Sequence, residues 1–291
     1  MELLSPENWK DYELLDVGDF EKLERFGQYI TIRPEPQAVW PKTWSNADWE
    51  KQAHVKFIPR SSSAGDWKKF KQMPDQWKIN YEFKNQKSAI QFRLGLTSFK
   101  HVGIFPEQAV NWNAIVAFLS GIEKPKFLNL FAYTGGASLA ARVAGADVTH
   151  VDSIKQVVSW ANENMQISGL DNIRWMVDDA LKFVKKESRR GNVYHGIILD
   201  PPAYGHGPNG EKWKLEDNIA EMMAEVLKVL NPEKHLLILN AYSLSFSSII
   251  IENFLRSYAK QHKSALQTGE LFLQAKSGVK LPLGVWGRLT K

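Results

Sequence analysis

The residues that most resemble a working site are Asp200-Pro201-Pro202-Ala203-Tyr204, which follow the apolar run Val193–Leu199. Two consecutive prolines remove two N–H donors and fix two φ angles. They stiffen the segment and leave backbone carbonyls able to accept from an amino group on a substrate. Asp200 adds a carboxylate acceptor, and Tyr204 offers an aromatic face. A planar base stacked on such a face gains about 1–3 kcal/mol in nucleic-acid systems. By itself Asp-Pro-Pro is an ordinary stiff turn, and its meaning depends on the elements that position it.

A second group of candidates lies upstream. Phe127-Leu128-Asn129-Leu130-Phe131-Ala132-Tyr133-Thr134-Gly135-Gly136-Ala137 reads as strand, glycine turn and helix start. Glycines let the backbone approach a ligand, and a helix N-terminus offers free N–H groups. The next strand ends at Asp152, where a carboxylate can accept both hydroxyls of a ribose. The third strand ends in Asp178-Asp179-Ala180, where an acid can meet an adenine amino group and the Ala180 backbone a ring nitrogen. The bland alternative for Asp178 is a helix N-cap. A dinucleotide site ranks lower, because it needs G-x-G-x-x-G and Gly135-Gly136 is followed next by the distant Gly145.

Alternation of strand and helix from about residue 105 must place these pieces. Helices are expected over Glu107–Leu119, Ala137–Val143, Ile154–Ile167, Ala180–Lys186, Leu215–Leu230 and Ser247–Lys260. Strands are expected over Phe127–Phe131, Val148–Val151, Ile173–Val177, Val193–Leu199, His235–Leu239, Leu271–Ala275 and Leu281–Gly287. The last two strands join through a turn at Lys276-Ser277-Gly278. Residues 1–98 differ in character and hold six of the 11 tryptophans. Trp77–Phe83 and Ser88–Leu94 alternate apolar and polar around the short loop Lys84-Asn85-Gln86-Lys87, a hairpin pattern, and Gln28–Pro34 reads as another strand. The expected organisation is a small β-rich domain over residues 1–98 and an α/β domain over residues 99–291.

Five βα units closed by an antiparallel pair resemble the seven-stranded, Rossmann-like sheet of class I S-adenosylmethionine-dependent methyltransferases. The motifs carry a narrower likeness. Phe131–Gly136, Val151-Asp152-Ser153, Asp178-Asp179-Ala180 and Leu199–Tyr204 together are similar to the bacterial 23S ribosomal RNA methyltransferases. That family includes the cytosine-C5 enzymes and the guanine-N7 half of a fused bifunctional enzyme. The likeness covers roughly residues 100–291. The preceding Phe105-Pro106-Glu107-Gln108 matches the segment where the family closes over its cofactor. The resemblance implies S-adenosylmethionine as cofactor. It implies a pocket lined by Gln108, Tyr133, Thr134, Gly135, Asp152, Ser153, Asp179 and Asp200, joined by Phe105, Gly136, Asp178 and Ala180. It places methyl transfer at Asp200, Pro201, Pro202 and Tyr204 and makes RNA, ribosomal RNA above all, the expected substrate. The extra N-terminal RNA-binding module of many members has no expected counterpart.

Composition narrows the chemistry. The 291 residues include no cysteine, which excludes disulfides, cysteine-ligated metals and thiol nucleophiles. Cytosine-C5 enzymes of the family carry a cysteine after the fifth strand, and Ala241 takes that position here. A nitrogen or oxygen acceptor is therefore expected. Amino-methylating enzymes commonly place the aromatic directly after the prolines, whereas Ala203 intervenes here, so the acceptor atom stays open. Tyr204–Lys214, with three glycines and a proline, reads as a loop. It is either a mobile lid whose His206, Lys212, Trp213 and Lys214 meet the substrate, or a solvent loop anchored by Trp213. Residues 51–78, with seven Lys/Arg and two acids, suit RNA or a solvated strand face, and His195 reads as structural. The net charge of +5 is compatible with an anionic partner. With no signal peptide, no membrane span and no metal motif expected, the reading is a cytoplasmic enzyme. The other readings are a methyltransferase for a small molecule or protein, and a non-catalytic RNA-binding factor.

Overall fold

The structure, a computed structural model, describes residues 1–61, 64–84, 89–242 and 246–291. The chain divides into two compact units, each discontinuous in sequence. One comprises Ser5–Glu107 with Phe272–Leu283, the other Met1–Leu4, Gln108–Leu271 and Gly284–Lys291.

In chain order, strand β1 (Glu2–Leu4) precedes β2 (Tyr12–Gly18), β3 (Glu21–Phe26), β4 (Tyr29–Pro34), helix α1 (Asn46–Gln52), β5 (Val55–Pro59), β6 (Gly65–Lys69), β7 (Gln76–Glu82) and β8 (Ala89–Gly95). Strands β2 to β6 form one sheet in sequence order and β7–β8 an antiparallel hairpin. The alternation that predicts β7 is the burial pattern: Trp77, Ile79 and Tyr81 are buried, with Gln76, Lys78, Asn80 and Glu82 exposed between them. Of the expected hairpin loop, Asn85, Gln86 and Lys87 lie outside the described residues, as does Ser88. Helix α1 was not expected from the sequence. Ser45 caps it by accepting from the Asp48 N–H at 3.1 Å, and it buries Trp49.

The second unit continues with α2 (Ala109–Leu119), β9 (Lys126–Leu130), α3 (Gly136–Val143), β10 (Asp147–Asp152), α4 (Lys155–Ile167), β11 (Ile173–Val177), α5 (Ala180–Arg189) and β12 (Gly196–Leu199). Then come β13 (Tyr204–His206), β14 (Lys212–Lys214), α6 (Leu215–Lys228), β15 (Leu236–Ala241), α7 (Ser248–His262), β16 (Ala265–Gln274) and β17 (Lys280–Thr290). Its main sheet has the order β1-β16-β17-β15-β12-β9-β10-β11. Strands β15, β12, β9, β10 and β11 are parallel, and β17 runs antiparallel to β15. The fold is the expected mixed α/β sheet with a β-rich region, corrected in two details.

The sheet has eight strands, not seven. The extra one, β1, pairs in parallel with β16 through Glu2↔Gly269, Leu3↔Glu270 and Leu4↔Leu271. Three residues are too few for alternation to be legible. Gly269 makes the pairing possible, since a Cβ there would stand 1.8 Å from the Glu2 carbonyl oxygen. The second correction concerns Tyr204–Lys214, expected as a loop. It is an antiparallel hairpin, with Tyr204 opposite Lys214 and His206 opposite Lys212.

A core lies on one face of the parallel strands, where Leu128, Leu130, Ile197, Leu199, Leu237 and Leu239 share a cluster with Phe183, Met222, Ile251 and Leu255. Strand order reverses between β9 and β12, which pair directly. In open α/β sheets ligands bind beyond the carboxyl ends of strands at such a switch point. Phe131 and Asp200 begin the two segments that leave it.

Candidate active site

The turn after β9 is held in an unusual backbone. Phe131 (φ 55), Tyr133 (φ 50) and Gly135 (φ 91) all adopt left-handed conformations. Such a state is costly for the two aromatic residues. Two hydrogen bonds hold it: the Ala132 N–H donates to the Val151 carbonyl at 3.1 Å, and the Tyr133 N–H to Asp152 Oδ2 at 2.9 Å. The glycines also have a packing reason that the sequence did not reveal. A Cβ on Gly135 would press on Ala161 at 3.1 Å, and one on Gly136 would meet the Trp112 ring at 2.6 Å. Thr134 is buried beneath the turn, its carbonyl accepting from Asn164 Nδ2 at 3.0 Å.

Asp152 therefore has a structural duty as well as a candidate binding one. Its other oxygen accepts from the Ile154 N–H at 3.0 Å. Burial raises its pKa above the ordinary carboxylate value, while the Ile154, Tyr133 and Ser153 N–H groups pull the other way. A carboxylate offers about four lone-pair sites, so acceptor capacity remains for ribose hydroxyls. At the end of β11, Asp179 is the N-cap of α5, accepting from the Lys182 N–H at 2.8 Å. Asp178 holds Lys186 Nζ at 2.8 Å and accepts from the Asp179 N–H at 2.9 Å. The capping residue is thus Asp179, not Asp178. Ala180 opens α5, where helix geometry leaves N–H groups without intrahelical acceptors.

One pocket brings these strand ends together. It encloses about 340 Å³ including its open mouth and is lined by Phe131, Val151, Asp152, Ser153, Asp178, Asp179, Ala180, Pro202, Gly205, His206, Gly207 and Trp213. Eight of the candidate site residues named from the sequence meet here, from three separate segments. Two carboxylate-bearing strand ends, a helix N-terminus and apolar walls fit an adenosine-bearing cofactor. Gly135 and Gly136 shape the turn without lining this pocket, and Phe105 belongs to the β-rich unit.

Residues 200–214 form the far rim. Pro201 is buried, while Tyr204 is 70% exposed. Two carbonyls expected to face a substrate are already used: Pro202 accepts from Trp213 Nε1 at 2.7 Å and Ala203 from the Leu215 N–H at 2.9 Å. Trp213 is buried, its ring centroid 4.8 Å from that of Phe131, so it ties the hairpin to the turn after β9. Lys214 reaches Asp217 at 3.2 Å, and His206 and Lys212 are exposed. Glu211 accepts from Lys182 Nζ at 2.5 Å, a bond that, with the Asn209 and Glu211 N–H groups, draws its pKa down to about 2. Just ahead of β12, His195 Nδ1 accepts from the Lys126 N–H at 3.1 Å, a structural role.

Behind Asp200 lies a buried polar cluster that sequence reading missed. Gln108 Nε2 donates to Asp200 Oδ2 at 3.1 Å and to Tyr242 Oη at 2.8 Å. Gln108 Oε1 accepts from Asn111 Nδ2 at 2.9 Å and Asn240 Nδ2 at 3.3 Å. The available signal was an amide in an otherwise apolar helix face (Asn111) and another near the end of an apolar strand (Asn240). Ala241, which takes the cysteine position, is buried at the end of β15. Among the described residues, no group of three or more His, Asp or Glu could hold a metal ion.

The chain matches the family described as Conserved hypothetical protein 95 over residues 107–240. It is 32% identical over 154 residues to a Ribosomal RNA large subunit methyltransferase K/L of Shewanella frigidimarina, which covers 52% of this chain and 21% of that protein. A protein of the same name from Pseudoalteromonas atlantica is 24% identical over 251 residues, covering 79% of this chain and 34% of its own length. The chain thus spans a minor part of these curated relatives. The crystal structure of the SAM Dependent Methyltransferase from Agrobacterium tumefaciens aligns with 100% of this chain and 93% of its own, at 34% identity and a TM-score of 0.92. With nearly the whole of both chains matched, this chain belongs to the S-adenosylmethionine-dependent methyltransferases.

Proposed function

We propose that this enzyme methylates RNA, with ribosomal RNA the preferred class, at a nitrogen or oxygen acceptor rather than cytosine C5. The observation that carries the reading is the shared pocket: Asp152, Asp179, Pro202 and His206 all line it, and the exposed Tyr204 lies between the last two in sequence. This supports an adenosine site beside an acceptor site. The names of the ribosomal RNA methyltransferase relatives support RNA as the acceptor.

When bound, S-adenosylmethionine supplies a methyl group activated by its sulfonium. The chain's part is to hold and align. Asp152, with Ser153 beside it, would hold the ribose hydroxyls, and Asp178, Asp179 and Ala180 would hold the adenine. Asp200 accepts from the acceptor's amino group, Pro201 and Pro202 stiffen the approach, and Tyr204 stacks on the base. His206, Lys212 and Lys214 extend the contact along the hairpin, and Trp213 anchors it. Orientation of this kind can supply about 7–11 kcal/mol of a barrier. No thiol exists to activate a pyrimidine carbon, and a lone pair on nitrogen or oxygen needs no such help. No helix among the described residues is long and apolar enough to cross a membrane. We place the enzyme in the cytoplasm with its RNA.

Mass spectrometry of RNA nucleosides from a deletion strain and its parent tests the proposal. The expected result is the loss of one methylated nucleoside other than 5-methylcytosine. An unchanged profile would redirect the reading to a small molecule or protein acceptor.

A further inference from the structure

The buried cluster behind Asp200 has a direction. Arg288 Nη2 donates to Asn111 Oδ1 at 3.4 Å, Asn111 Nδ2 to Gln108 Oε1 at 2.9 Å, and Gln108 Nε2 to Asp200 Oδ2 at 3.1 Å. Asn111 Nδ2 also donates to Asn240 Oδ1 at 3.2 Å, and Asn240 Nδ2 to Gln108 Oε1 at 3.3 Å. A side-chain amide can usually turn over, exchanging its donor and acceptor ends. Here both ends of the chain forbid it. A guanidinium only donates, and an ionised carboxylate only accepts. Turning the amides over would set Asn111 NH₂ against Arg288 and Gln108 oxygen against Asp200. In a site where Gln108, Asn111 and Asn240 are 7%, 0% and 1% exposed, water does not relieve such clashes.

We propose that Arg288 and Asn111 are positioning residues for methyl transfer, acting through Gln108 to fix the Asp200 carboxylate toward the acceptor. Gln108, which the family resemblance places against the cofactor, then serves the acceptor side. Its amide spends both hydrogens on Asp200 and Tyr242 and both oxygen lone pairs on Asn111 and Asn240. Arg288 lies on β17, remote in sequence from every motif, and stacks over Trp286 at 5.1 Å. The proposal rests on the reading that Asp200 receives the acceptor.

The test uses the full chain, tritiated S-adenosylmethionine and RNA from the deletion strain. Asn111→Asp keeps size and can pair with Arg288, yet cannot donate to Gln108. It should lower kcat about 10- to 100-fold, the cost of a misplaced reacting group, with the KM for RNA and the affinity for S-adenosylhomocysteine within about twofold of wild type. Arg288→Met should fall in the same direction, and Arg288→Lys, still a pure donor, should restore most of the rate. The Gln108 side-chain amide protons, followed by nitrogen-15 NMR, should exchange faster in Asn111→Asp and Arg288→Met and stay protected in Arg288→Lys. Wild-type kcat and Gln108 exchange in Asn111→Asp would overturn the proposal, as would identical Arg288→Met and Arg288→Lys enzymes. Should Asn111→Asp fail to fold, the Arg288 pair decides. Should wild type label no RNA, the RNA reading fails, and Gln108 exchange alone decides whether the relay exists.

Discussion

The two units bury polar side chains in contrasting ways. In the β-rich unit the buried groups are charged. Glu24 is held by Arg33 at 2.6 Å, by Lys22 at 3.7 Å and by Tyr12 Oη at 3.0 Å, while Lys22 also reaches Glu35 at 3.2 Å. Burial alone would raise the Glu24 pKa; Arg33 and Lys22 outweigh it and hold the carboxyl below its ordinary value. In the sheet unit the buried groups near Asp200 are neutral amides with a charge at each end. Each charge of the first cluster offsets the burial of another, so losing a member leaves a charge uncompensated. Amides have distinct ends, so the second transmits an orientation without needing several buried charges. One arrangement bears on stability, the other on alignment.

Breaking the charged cluster should have the largest effect. Arg33→Met leaves Glu24 buried without its main counter-ion and should cost about 3–5 kcal/mol in urea unfolding. Adding Glu24→Met should recover much of that; no recovery would mean that packing, not charge, holds the site. Trp213→Ala comes next. It removes a buried ring from the hairpin and should cost about 3 kcal/mol. It should also weaken S-adenosylhomocysteine binding in calorimetry, because Trp213 and Asp152 line one pocket. Intact binding would confine Trp213 to the hairpin. Asp152→Asn should reduce that binding about 10- to 100-fold, the range for hydrogen bonds to a charged group, with a smaller loss of stability through the Tyr133 N–H.

A pH comparison gives the smallest effect and samples each unit through one histidine. Burial lowers the pKa of His150 in the sheet unit, and that of His101 in the β-rich unit, from 6.5 to about 3; nearby Arg33, Lys100 and Lys22 add to the shift at His101. Above pH 6.5 both rings are neutral folded or unfolded, and stability should be flat on their account. Between pH 6.5 and about 3 only the unfolded chain takes up the protons, so stability falls as pH falls. Urea midpoints at pH 7.5 and pH 5 should converge in His150→Gln and in His101→Gln relative to wild type. A wild-type slope in both variants would assign the acid sensitivity elsewhere.

Strand β4, the β7–β8 hairpin and the main strands and helices after residue 105 were legible because each carries a period or a run that burial then obeys. The strand-end acids were legible too, since helix capping and nucleotide binding favour the same residue types. What escaped depends on contacts distant in sequence. Gly136 looks like a ligand-facing glycine until the Trp112 ring is seen beside it. The hairpin β13–β14 lacks alternation, and only the Trp213 bond to Pro202 shows why it is ordered. The left-handed Phe131 and Tyr133 carry no local signal, because aromatic residues rarely take that conformation. Arg288, 177 residues from Asn111, has no motif to mark it.

Strand β1 also has a consequence for how copies of the chain behave together. The ten-residue β16 would otherwise form the margin of the main sheet, its backbone groups open to any passing strand. Three N-terminal residues cover part of that margin, and Gly269 admits them only because it has no side chain. Exposed margins of this kind template strand addition. Removing residues 1–4, or filling position 269 with a larger residue, should raise self-association above that of the unaltered chain, visible in light scattering at constant cofactor affinity. On this account the short strand would guard against aggregation as well as complete the sheet.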